Sequence, residues 1–428
     1  MKKLLTLVIC FSFAISAFGA EWYVSAATGK KKNNGHTKDA PLKAIWSALE
    51  NAAAGDVIYV AQGNYRGKTS CGWILIDKPV SIIGGYSDDF SERDITKYPT
   101  MLKPTNEMNQ TKPAMDVGTV GFKMYKTAID AAQLANTTTV IDGLYIDQGE
   151  ANSYHAVKAK PEGVETGMYL VPPAQGNTQF PSINSAELKG ITVGNLTIQN
   201  CVFLNASNYG IQLNHFQGNL KILNNVFINN RMQACEVRSS NGKAGMVNFE
   251  FAYNTVLFTW SRTEEMTDMG FAVRANENTN TNIHHNFLGL SILYGFDNTK
   301  GNDKTKKVAI DNNVFYRNKK GDAAITISPS IKTFFVTDDA WEDFEDCTGI
   351  VSVEGNKSIS DADIVAKFKD IIDMAYLKAF LSANYTEKID LAELTLESKY
   401  TMFANRYPSE NVLKFFGAIE GVGAQAVK

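Results

Sequence analysis

Residues 194 to 214 read GNLTIQNCVFLNASNYGIQLN, and residues 218 to 238 read GNLKILNNVFINNRMQACEVR, a near copy starting 24 residues later. A six-residue unit inside them recurs as IQNCVF (198–203), ILNNVF (222–227), FAYNTV (251–256), IHHNFL (283–288) and IDNNVF (310–315). Successive copies start 24, 29, 32 and 27 residues apart. A fixed motif on an elastic spacer means that each copy is one structural rung and that the spacers are loops leaving one side. Apolar residues here alternate in twos and are rich in Val, Ile and Phe, unlike the three-and-four spacing of helical repeats. Leucine-rich repeats need Leu at several fixed positions, which this motif lacks. The unit is therefore strand, turn, strand. Stacked units make an all-β solenoid, the parallel β-helix, in which each rung bonds the next about 4.8 Å away.

The repeated Asn then has a structural task. Asn225, Asn254, Asn286 and Asn313 fall on one column, where side-chain amides bond from rung to rung, and Cys201 takes the same column as a buried free thiol. A further strand per rung aligns GIQLN (210–214), ACEVR (234–238), GFAVR (270–274) and AITIS (324–328), with GMYLV (167–171) before them. The alternation turns Ile211, Leu213, Cys235, Val237, Phe271, Val273, Ile325 and Ile327 inward. It leaves two outward columns, Tyr169–Gln212–Glu236–Ala272 and Val171–Asn214–Arg238–Arg274. This alignment does not set the phase of the rung near Leu290 to Gly295.

Composition narrows the class. Charged residues are 20% of 428 and the net charge is −3, so the basic excess of a nucleic-acid binder is missing. The first twenty residues, MKKLLTLVICFSFAISAFGA, have two lysines, an apolar run and small residues at a cleavage site, the pattern of a Sec-type signal peptide that would start the mature chain at Glu21. Cys10 is no lipid anchor on this reading, because Ile9 precedes it where a small residue is needed. No later stretch is apolar for the roughly 18 residues of a membrane span, so the expected location is periplasmic, cell-surface or secreted. Cys71, Cys201, Cys235 and Cys347 make neither a disulfide framework nor a zinc spacing.

Toward the N-terminus, DAPLKAIWSALENAAAG (39–55) predicts a short helix with Leu42, Ile45, Trp46 and Leu49 along one face, capping the first rung's open edge. With GNYRG (63–67) and FSERDITKYPT (90–100), this stretch resembles the entrance to the bacterial right-handed parallel β-helix proteins of the pectate-lyase-like superfamily. The resemblance extends through the rungs to about residue 360 and speaks for fold more than for reaction. Residues 361 to 381, DADIVAKFKDIIDMAYLKAFL, predict one helix, and 361–428 a helical C-terminal cap packed on the 21–360 β-helix domain. Two insertions, 148–188 and 261–270, are placed to wall a groove.

The resemblance implies β-elimination on an acidic, uronate-containing polysaccharide, with a cation neutralising the uronate carboxylate and a base, often Lys or Arg, removing the C5 proton. Arg238 and Arg274, expected near each other on successive rungs, and Glu236 beside them are the candidate catalytic residues. Tyr169, Gln212 and Asn214 are the candidate substrate-binding residues of that face, with His155 and Lys158 reaching over from the first insertion. Two guanidinium groups about 5 Å apart repel unless an anion sits between them, so the same residues read first as a structural salt-bridge network through Glu236 and next as an anionic-sugar site. Glu264, Glu265 and Asp268 offer oxygen ligands of the kind calcium takes, though a solvated loop has the same composition. His284 and His285 replace ladder-side residues and read as structural, and His215 has no clear partner. The NTD and GHG segments of polygalacturonases, the pectinesterase pattern and the RxPxxR segment of pectate lyases are absent. EVRSS (236–240) is similar to the acidic-then-basic segment of the chondroitinase B and alginate lyase family, with Arg238 where that pattern favours Lys. Two expectations of different class follow: an exported polysaccharide lyase, or a noncatalytic glycan-binding or scaffold β-helix.

Overall fold

Each rung is three short strands, and the computed structural model stacks them as the repeat requires. It describes residues 19–67, 72–103, 120–124, 136–148, 181–185, 192–206, 209–239, 246–261, 269–300, 305–327, 330–334, 349–385 and 407–427. Strands Asn195–Gln199, Val202–Leu204 and Ile211–Asn214 form one rung, and Asn219–Leu223, Val226–Ile228 and Gln233–Arg238 the next. Their counterparts pair in parallel, Ile198 with Ile222, Phe203 with Phe227 and Gln212 with Glu236. Among the described residues this builds three sheets of ten, nine and nine strands, here numbered by their order within a rung. The third ends on Ser330–Phe334, antiparallel to Gly321–Ile327. The parallel β-helix expected from the repeat is the fold.

A left-handed residue turns the chain at two corners of each of five successive rungs. Asn200, Asn224, Tyr253, His285 and Asn312 follow the first-sheet strands, and Asn205, Asn229, Phe258, Leu290 and Arg317 follow the second-sheet strands, all with φ between 44° and 60°. Asn is the non-glycine residue that tolerates this region best, which accounts for its abundance there. The next residue forms the expected ladder. Asn225 Nδ2 donates to Asn254 Oδ1 at 3.0 Å, Asn254 Nδ2 to Asn286 Oδ1 at 3.1 Å, and Asn286 Nδ2 to Asn313 Oδ1 at 2.9 Å. The second N–H of each amide goes to a carbonyl of the preceding rung, as from Asn254 to Ile222, and each Oδ1 also accepts a backbone N–H. The column runs one rung further than the motif count, to Asn356. Cys201 stands in it as a buried free thiol, its pKa pushed up to about 12 by burial. The other corner carries an interrupted ladder absent from the sequence reading: Asn230 and Asn318 accept from the Ala206 and Ser291 N–H groups and donate to the Phe203 and Leu288 carbonyls.

Inside the solenoid, Ile141, Ile198, Ile222, Phe251, Ile283 and Ile310 stack in register. Strands of the second sheet are apolar on both faces, the pattern of a sheet covered on both sides. Their outward residues Val202, Leu204, Val226, Ile228, Leu257, Phe287 and Val314 belong to a second core with Ile364, Phe368, Leu377, Phe380 and Phe415. The C-terminal segment thus lies along the flank of the solenoid. Its expected single helix is two, α2 (Asp361–Lys367) and α3 (Met374–Asn384). Asp370 in the left-handed region and Asp373, whose side chain accepts from the Tyr376 N–H, end one and start the other. At the opposite end α1 (Ile45–Asn51) buries Ile45, Ala48 and Leu49 against the first rungs. No described helix is long and apolar enough to cross a membrane.

Candidate functional site

The expected site lies on the outer face of the third sheet, with a different register. Gln212 pairs with Glu236 and Asn214 with Arg238, as the alternation predicts. Glu236, however, pairs with Arg274, and Arg274 with Asp297. The alignment that set Arg238 beside Arg274 is off by two residues. Gly270 and Phe271 both donate to the Met232 carbonyl, which starts the strand two residues earlier than the GFAVR match implies. The true outward column is Asn184–Gln212–Glu236–Arg274–Asp297, with Asn214 and Arg238 beside it. Asn184 comes from the strand Ile183–Asn184, so that strand, and not GMYLV, precedes GIQLN. Tyr169, His155 and Lys158 lie outside the described residues, as do Glu264, Glu265, Asp268 and nearly all of both insertions. The phase near Leu290–Gly295 is now set, since Tyr294–Asn298 forms the rung and turns Asp297 outward.

This column is shielded from water. Glu236 is 5% exposed, Arg274 7% and Asp297 0%, while Arg238 is half-buried. Arg274 Nε lies 2.5 Å from Asp297 Oδ2, a charge contact without hydrogen-bond alignment, and its guanidinium sits 4.4 Å from the Phe271 ring centroid. Burial pushes the Glu236 carboxyl above the ordinary range, and Arg274, Arg238, Lys300 and a hydrogen bond from Gln212 pull it part of the way back. Asp297 is raised by the same burial, opposed by Arg274 and by hydrogen bonds from Thr299. Gln212 Oε1 and Asn276 Oδ1 on this face have no hydrogen-bond partner among the described residues. The sequence reading missed Asp297 and Lys300 because it left their rung unphased.

Chemically, this is a protonatable carboxyl between an amide and a guanidinium, with further positive charge at its edge. Such a group can take or give a proton. Glu236 and Asp297 flank Arg274 two rungs apart, about 9–10 Å, too far to share one ion. Among the described residues no three His, Cys, Asp or Glu side chains converge as metal ligands. His215, which the sequence leaves without a clear partner, is structural. His215 is buried, its Nδ1 2.7 Å from Thr192 Oγ1 and its Nε2 3.1 Å from the Gly194 carbonyl, and burial lowers its pKa to about 4.

A second surface has the opposite character. On the outer face of the first sheet, Asn195, Asn219, Asn248 and Asn280 form a ladder with 2.9, 3.2 and 3.3 Å steps. Beside it Lys221 pairs with Glu250 at 3.1 Å, and a groove of about 460 Å³ opens over Asn219, Lys221, Asn248, Glu250 and Asn282.

No family model matches the chain, and no curated protein does. Among solved structures it is similar to a pectate lyase, at 12% identity and a TM-score of 0.33 over 95% of this chain and 96% of that one. It is also similar to a rhamnogalacturonan lyase, at 11% identity and a TM-score of 0.36 over 95% of this chain and all of that one. The fold assignment rests on the strand registers themselves.

Proposed function

We propose that this is an exported carbohydrate-active protein that cleaves an acidic, uronate-containing polysaccharide by β-elimination on the outer face of the third sheet. The observation that carries the reading is the buried Glu236, its carboxyl made more basic by burial, in register between Gln212 and Arg274. In this reading the Glu236 carboxylate takes the C5 proton, the C4–O bond breaks, a C4=C5 double bond forms, and the departing O4 oxygen picks up a proton from water to leave as an alcohol. Arg238 and Lys300, at the edge of the shielded column, face the uronate carboxylate and offset its charge. Arg274 holds Glu236 and Asp297 in place between rungs. Export is supported by the N-terminal run of two lysines, apolar residues and a small-residue cleavage site. Were calcium the supplementary cation, Glu264, Glu265 and Asp268 would be the carboxylates to hold it, and it would add positive charge against the uronate.

A noncatalytic glycan-binding β-helix is the second reading, and the open groove along the Asn195–Asn280 ladder favours it. One experiment separates the two. The protein is incubated with a panel of uronate polysaccharides, with and without calcium, and the absorbance of the unsaturated product is followed. Lyase action predicts product that falls by about 10²-fold or more in Glu236→Gln, the usual size of a general-base contribution. Glycan binding without product, lost on Asn248→Ala with Lys221→Ala and kept in Glu236→Gln, would establish the second.

A further inference from the structure

We propose that His284 and His285 form a two-nitrogen chelate for a first-row divalent cation of square-planar or octahedral preference, Cu(II) or Ni(II). His284 ends the strand Thr279–His284, and His285 follows it with φ 55°. The left-handed residue breaks the alternation and folds the second ring back toward the first. The two ring planes stand at 89° and the two Nδ1 atoms lie 3.0 Å apart. On its far side His284 Nε2 meets Glu250 Oε1 at 3.3 Å, and the His285 ring stacks on Tyr253 at 4.9 Å.

A carboxylate on Nε2 fixes the His284 proton there and leaves Nδ1 as a bare lone pair. That is the arrangement which orients metal-binding histidines. Two Nδ1 atoms at 3.0 Å need something positive between them, either the His285 proton or a cation that replaces it. With metal–nitrogen bonds of about 2.05 Å, this separation subtends roughly 94° at the metal, the cis angle of square-planar or octahedral geometry; tetrahedral zinc would need about 3.3 Å. The His284 side chain is 19% exposed, so solvent can complete the shell. Asp311, in register with His284 on the next rung, adds a neighbouring negative charge. The adjacent rungs show that the fold does not need these imidazoles. Ala252 occupies the first position one rung earlier, and Asn224 and Asn312 occupy the second on other rungs.

The test titrates untagged protein with Cu(II), Ni(II) and Zn(II) in a non-coordinating buffer by calorimetry. One equivalent of Cu(II) should bind, with Ni(II) favoured over Zn(II). His284→Ala and His285→Asn, each copying a neighbouring rung, should weaken Cu(II) binding at least tenfold, and Glu250→Gln by about tenfold. Pulsed electron paramagnetic resonance of the Cu(II)-loaded wild type should show two coupled imidazole nitrogens, a reading that does not depend on any variant folding. No uptake by the wild type, uptake unchanged in both histidine variants, or a spectrum with fewer than two imidazoles would overturn the chelate.

Discussion

The second and third sheets both withdraw their outer faces from water, with opposite chemistry. The second does so with aliphatic and aromatic side chains under the C-terminal helices, where Trp260 Nε1 still finds the Tyr376 hydroxyl at 3.1 Å. The third does so with Gln212, Glu236, Arg274 and Asp297, leaving Gln212 Oε1 and Asn276 Oδ1 unpaired among the described residues. Apolar burial stabilises in proportion to area. Burying charges costs free energy that pairing only partly offsets, so a folded chain gains nothing in stability from such a column over a well-packed apolar one. The difference separates a face built for stability from a face whose composition stability does not explain, and it locates the candidate chemistry.

The largest expected effect tests the apolar side. Trp260→Ala empties a fully buried site against Phe380 and removes the bond to Tyr376, and should cost toward the upper end of about 3–5 kcal/mol in urea unfolding. On the charged side, Arg274→Ala strands Asp297 without its counter-ion, takes one of three cations from Glu236, and should cost about 3 kcal/mol, the lower end for a broken buried pair. An exposed guanidinium would leave the melting temperature nearly unchanged. Asn254→Ala should cost about 1–3 kcal/mol, because the Asn225 amide donors and the Ile222 carbonyl lose their partner inside the first corner. A loss below that range would show that water reaches the ladder.

The smallest effect is the most specific. Burial raises the Glu236 carboxyl, so the folded chain binds that proton more tightly than the unfolded chain. Its contribution is full below the unfolded value of about 4 and is lost as pH rises through the folded value. Wild type should therefore lose stability relative to Glu236→Gln as pH climbs above about 4, seen as a converging or crossing pair of melting curves. Parallel curves would mean that Glu236 is solvated and the two faces are less different than described.

Much of this architecture is local in the chain and therefore legible in it. Strand alternation, the corner Asn residues and the rung spacing all reside in the IQNCVF-type motif, and they determine a parallel β-helix and its Asn225–Asn313 ladder without reference to distant residues. A clue to the covered second sheet also stands in the motif, since Val226 and Phe227 are both large and apolar on opposite faces. What covers that sheet is not local. The Phe258 ring meets Phe380 and Tyr407 at 5.2 and 5.5 Å, contacts between residues more than a hundred positions apart that no period reveals. Register in the third sheet was decided by tertiary structure for a different reason. A slip of one residue reverses every side chain and would show in the pattern, whereas a slip of two returns each to the same face. Hydrophobic alternation is blind to that shift, so only the corner geometry at Met232 and Gly270 sets Arg274 against Glu236 and brings in Asp297.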